Sequence, residues 1–115
     1  MTIGNISAVL EENQVTASAP CRIDFGGTLD ISSFHYPLRR LGPSTVNIAL
    51  DRRTTVNLHP IGGDQVKVSS AGFADATYHP STAPYDHPLG LMFAMADYFG
   101  ARGVHIQIHS ASPPK

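Results

Sequence analysis

Apolar and polar residues alternate most regularly in "STVNIALDRRTTVNLHP", Ser44 to Pro60. Val46, Ile48 and Leu50 take one side, and Thr54, Val56 and Leu58 continue on the same even-numbered side. A period of two marks a strand. Because the parity never breaks, the run predicts one long bent strand or two strands in direct continuation. His59-Pro60 and Gly62-Gly63 then mark a turn, and "QVKVSS" places Val66 and Val68 on one face. The two runs together predict a β-hairpin. "GVHIQIHS" predicts another strand, with Val104, Ile106 and Ile108 alternating with His105, Gln107 and His109. A shorter strand lies upstream, where Cys21, Ile23 and Phe25 alternate with Arg22 and Asp24. Gly26-Gly27 ends it, since glycine adopts turn conformations that other residues resist.

The period changes to a helical one in "DHPLGLMFAMADYFGARG". Leu89, Met92, Phe93, Ala96 and Phe99 form one stripe, which reads as core. Asp86 or His87 can cap the start, Pro88 suits the first turn, and Gly100 or Gly103 supplies the stop. Residues 1–16 lack a clear period and predict a loose leader. Residues 28–43 predict a long excursion with room for one helical turn, and 71–87 a connection over the surface. The order strand, long strand, strand, helix, strand predicts an α+β fold, with a mainly antiparallel sheet and one helix on a face. One helix covers only part of such a sheet. The expected cover is a second helix, a partner chain or further polypeptide. With 104–110 read as an uncovered edge strand, the isolated chain is expected to form a homodimer or higher oligomer.

The chain has 115 residues, enough for one small domain. Its formal net charge is -1, and Lys and Arg cluster no further than Arg39-Arg40 and Arg52-Arg53. That charge balance argues against a nucleic-acid partner, including an RNA-binding domain of related fold. No apolar run is long enough to span a bilayer, and the first fourteen residues lack the basic and apolar regions of a signal peptide. The expectation is a cytoplasmic protein with no membrane partner. Cys21 is the single cysteine, so no internal disulfide forms; on the apolar side of its strand it is expected to be inert. His105 and His109 share a strand face but stand roughly 13 Å apart along it. His59, His79 and His87 each precede a proline, and His35 lies two before Pro37. These spacings fit no zinc pattern, and no metal ligand is assigned. Neither G-x-S-x-G, G-x-x-x-x-G-K-[ST] nor G-x-G-x-x-G occurs.

"APCRIDFGGTLD", Ala19 to Asp30, resembles the first motif of the GHMP kinases, the galactokinase, homoserine kinase and mevalonate kinase superfamily, and most of all its sugar-kinase branch. "STVNIALDRRTTV" is similar to the strands that follow that motif, "HPLGLMFAMADYFG" to the first helix, and "GVHIQIHSASPPK" to the strand and loop leading into the second motif. The resemblance covers about residues 17–115. Thr28 and Asp30 are separated by Leu29, where the family has the two adjacent.

The resemblance implies the first half of a GHMP kinase N-terminal domain, of the ribosomal protein S5 domain 2-like class, over residues 17–115. It also implies that this part stops before the phosphate-binding loop. It further implies an ATP-dependent kinase that uses ATP and Mg2+ when complete, with none bound to this portion and no activity from it alone. The acceptor would be a sugar or sugar phosphate, such as a hexose or heptose phosphate, or another small alcohol. Arg22 would lie near the transferred phosphate as a fixed charge, the catalytic Asp lying outside the chain. Gly26, Gly27 and Thr28 would approach the substrate, and Asp30 would accept hydrogen bonds from its hydroxyls. Asp24 is a substrate-binding candidate with them; on strand parity alone it points the same way as Arg22, and its plain structural role is an ion pair that positions the Arg. On the residues alone, Gly26-Gly27 reads equally as a plain turn. The alternative function is a non-catalytic α+β module that binds a ligand or partner.

Overall fold

The computed structural model describes residues 3–25 and 32–111. It is α+β, built on a five-stranded mixed sheet that is mainly antiparallel. The long alternating run is one strand, β3 (Asn47–Pro60), the first of the two arrangements that its unbroken parity allows. We number the other sheet strands β2 (Val15–Asp24), β4 (Val66–Ser70), β5 (Ala76–Tyr78) and β7 (Val104–Ser110). Their spatial order is β2-β3-β7-β4-β5.

That order corrects the predicted hairpin. Strands β3 and β4 do not pair, because β7 lies between them, antiparallel to β3 and parallel to β4. The edge position predicted for 104–110 is therefore also wrong: β7 is the central strand. Its apolar residues meet apolar partners on both sides. Val104 and Ile106 face Val66 and Val68 across one ladder, and Ile106 and Ile108 face Leu58 and Val56 across the other. A central strand buries more apolar surface than an edge strand, and backbone pairing on both flanks satisfies its donors and acceptors. Residues 71–87 are likewise more than a surface connection, since β5 within them pairs with β4 and buries Ala76.

The predicted leader is also structured. A two-residue strand β1 (Gly4–Asn5) runs parallel to β6 (Ala101–Arg102), and helix α1 (Ser7–Glu12) follows it. Leu10 of α1 joins the core formed by Val66, Val68, Ala76, Leu89, Phe93, Ala96 and Val104. The second helix that the sheet needs thus comes from within residues 1–16. Six residues with one buried position are too few to show a helical period, so sequence patterning could not reveal it. The excursion after β2 contains α2 (Ser32–Leu38) and a 3-10 turn (Arg39–Leu41).

Helix α3 (Gly90–Phe99) is the predicted amphipathic helix. Leu89, Phe93 and Ala96 are buried, whereas Met92 is half-buried and Phe99 more exposed. The His87 ring braces the turn before its start, Nδ1 accepting the N–H of Leu89, the residue preceding the helix, at 3.0 Å. Gly100 ends it in the left-handed conformation.

Gly103 has a tighter constraint. Its φ is +69°, its N–H donates to the Gln65 carbonyl at 3.0 Å, and its carbonyl accepts the Ile61 N–H at 3.1 Å. The Asn5 side chain lies where a Cβ would project, held there by its bonds to the Gly63 carbonyl and the Ser7 N–H. Gly103→Ala is expected to cost about 1–3 kcal/mol from left-handed strain, with displacement of Asn5 in addition. Thermal unfolding should register this as a fall of several degrees in Tm. A Tm within one degree of wild type would show that neither constraint operates.

Candidate functional site

The resemblance places the site at the far end of β2, and the described part of it lies on a projecting ribbon. Strand β7 pairs with β3 only from Thr54 to Pro60. Beyond Thr54, β2 and β3 continue as two strands, with Arg22 opposite Ala49, Ile23 opposite Ile48 and Asp24 opposite Asn47. The Phe25 N–H donates to the Val46 carbonyl at 2.9 Å and prolongs the ladder. An irregularity opposite Cys21 lets β3 carry three residues against one of β2, which bends the ribbon.

Arg22 and Asp24 are two residues apart on one strand and share a side, as alternation requires. Arg22 is exposed and Asp24 half-buried. The strand residue opposite Arg22 is Ala49, a small side chain. The other side of the ribbon carries Ile23 and Ile48, each about half exposed, with Phe25 and Val46 further out. Gly26, Gly27, Thr28 and Asp30 lie outside the described residues. The structure therefore brings Arg22 and Asp24 to the strand end that leads into the Gly-Gly stretch, and bears on no other predicted site residue.

Two further features were not apparent from sequence. The first is a groove of about 470 Å³ between the N-terminal segment, the sheet and α3. Ile3, Leu58, Met92, Met95, Phe99 and Ile106 are among its walls, which are wholly apolar. The second is the opposite, polar face of the sheet. There Arg53 donates to Ser18 Oγ at 2.9 Å and to the Ser18 carbonyl at 3.1 Å, and Thr16 Oγ1 donates to Asn57 Oδ1 at 2.8 Å. These bonds tie β2 to β3.

The same face carries His59 and His105 directly opposite one another, with ring centroids 5.8 Å apart. His59 Nε2 bonds to Gln107 Oε1 at 3.1 Å, and His105 Nε2 to Ser69 Oγ at 2.7 Å. Burial holds the His105 imidazole below its usual pKa; the charges of Lys67 and His59 lower it further, against the opposing effect of Asp75. A hollow of about 370 Å³ beside it is lined by Ser69, Asp75, His105, Gln107 and His109. Odd-numbered parity would have put His59 and His105 on one face, but only the insertion of β7 beside β3 makes them neighbours.

Among the described residues, no group of three His, Cys, Asp or Glu side chains could hold a metal ion. No described helix is long and apolar enough to cross a membrane. No protein-family model matches the chain, and no curated protein matches it either.

Proposed function

We propose that this chain is the acceptor-binding portion of an ATP-dependent GHMP-type kinase that phosphorylates a sugar or sugar phosphate. The supporting observation is the placement of Arg22: exposed, beside Asp24, at the strand end that runs directly into Gly26-Gly27-Thr28. In this reading Asp30 accepts hydrogen bonds from the acceptor hydroxyls, and the Arg22 charge faces the phosphoryl group as negative charge develops. The described residues do not fit ATP and Mg2+. The first N–H of α3, that of Gly90, donates to the His87 carbonyl, the N–H of Leu89 just before it donates to the His87 ring, and no three-ligand cation site is present among the described residues. In this reading nucleotide chemistry falls to residues outside the described ones.

A competing reading, a non-catalytic partner-binding module, is favoured by the wholly apolar groove. Titration of the isotope-labelled chain with a panel of hexoses, heptose phosphates and small alcohols separates the two. The kinase reading expects amide shifts at Arg22, Asp24 and residues 26–30 with one class of acceptor. Asp30→Ala should then weaken that binding by about 10- to 150-fold, the loss of a charge-assisted hydrogen bond of roughly 1.5–3 kcal/mol. Absence of any shift at these positions across the panel would overturn the acceptor assignment.

A further inference from the structure

Strand β7 joins the two halves of the sheet, β2–β3 on one flank and β4–β5 on the other. At its second residue, His105, the register places His59 of β3 directly across on one side and Lys67 of β4 directly across on the other. Three basic groups thus stand in one row over the three central strands. The row continues to Thr77 of β5, which is uncharged. Asp75, on the turn between β4 and β5, pairs with Lys67 at 3.1 Å. His109, on the same face of β7, is exposed four residues away. On the reverse face, the residues flanking His105, Val104 and Ile106, line the apolar groove.

We propose that this row is an acid-sensitive latch: protonation of His59 and His105 sets two imidazolium rings beside the Lys67 ammonium and loosens the hold of β7 on β3 and β4. The hydrogen bonds themselves survive the change. Ser69 Oγ and Gln107 Oε1 can each accept from a protonated ring, so the difference lies in charge alone. Like charges directly opposite one another weaken a strand pair, and here they act on both ladders of the central strand. Burial and the two basic neighbours depress the folded pKa of His105, whereas the unfolded chain titrates near 6.5. The unfolded state therefore binds protons first as pH falls. The stability His105 lends is complete above 6.5 and is lost as pH falls toward and through its lower folded pKa. Loosening of β7 exposes the groove floor formed by Val104 and Ile106.

Amide hydrogen exchange of β7 at pH 7.5 and 5.5, corrected for intrinsic rates, tests the latch. Carboxylates remain ionised across this window, so histidines dominate any change. Wild type is expected to lose about three- to tenfold in β7 protection at pH 5.5, on the scale of two like-charge cross-strand contacts. His105→Gln and His59→Gln keep a hydrogen-bonding side chain but cannot titrate, and should flatten that dependence. His109→Gln should leave it intact, and Asp75→Asn should steepen it. Undiminished protection in wild type at pH 5.5 would overturn the proposal. So would an unchanged dependence in His59→Gln, a variant that leaves β7 itself unaltered and serves if His105→Gln fails to fold.

Discussion

Phe93→Ala is expected to lose about 3–5 kcal/mol, the usual cost of emptying a buried aromatic site. Phe93 is only 1% exposed and is the largest fully buried side chain among the described residues. Its ring meets the edges or faces of two others, Tyr78 at 5.3 Å and His87 at 6.1 Å between centroids. Those two also contact one another, at 5.8 Å. The trio joins α3 to β5 and to the segment that precedes the helix. A domain of this size has roughly 5–15 kcal/mol of stability in all, so the loss removes a large share of it and should lower the urea midpoint sharply. Urea unfolding checks this, with Phe99→Ala as comparison. Phe99 is 41% exposed, and its truncation should cost far less. A loss below 1 kcal/mol in Phe93→Ala would mean that α3 does not close the core as described.

Arg22→Ala carries the other large expectation under the proposed kinase reading, in a protein that contains the complete site. Removing a fixed charge aimed at the transferring group should lower kcat by about 10²- to 10³-fold. The acceptor KM should change little, since this interaction strengthens only as the phosphoryl group is transferred. Arg22→Lys should recover part of the rate, because it restores the charge without the planar fork. The exposure of Arg22 makes the comparison clean: a surface substitution away from packed contacts should alter stability by no more than about 0.5 kcal/mol. Steady-state kinetics with unfolding curves of the same variants separates the effects. Unchanged turnover in a fully folded Arg22→Ala would remove Arg22 from the site.

Part of the candidate site was legible in the chain. The alternation of Cys21, Ile23 and Phe25 with Arg22 and Asp24 already put the two charged residues on one side of a strand end, and the structure places them there. What alternation could not convey was that this end projects beyond the rest of the sheet. Nor could it reveal the row of His59, His105 and Lys67, because those residues come from three strands distant in sequence. Expecting β3 to pair with β4 kept His105 away from both partners.

The division follows from range. Side-chain order alone determined that the run forming β3 keeps one parity throughout, that Leu89, Phe93 and Ala96 lie on one buried stripe, and that the protein is α+β. Each depends on periodicity within one segment, which neighbouring residues specify by themselves. The tertiary structure decided the neighbours. It put β7 in the centre, where Val104, Ile106 and Ile108 are flanked by Val66 and Val68 on one side and by Leu58 and Val56 on the other. It also drew the N-terminal segment in, so that Gly4–Asn5 pairs with Ala101–Arg102 and Leu10 covers the sheet. Such choices are made by apolar burial and backbone pairing summed over the whole chain, and no local stretch contains that sum.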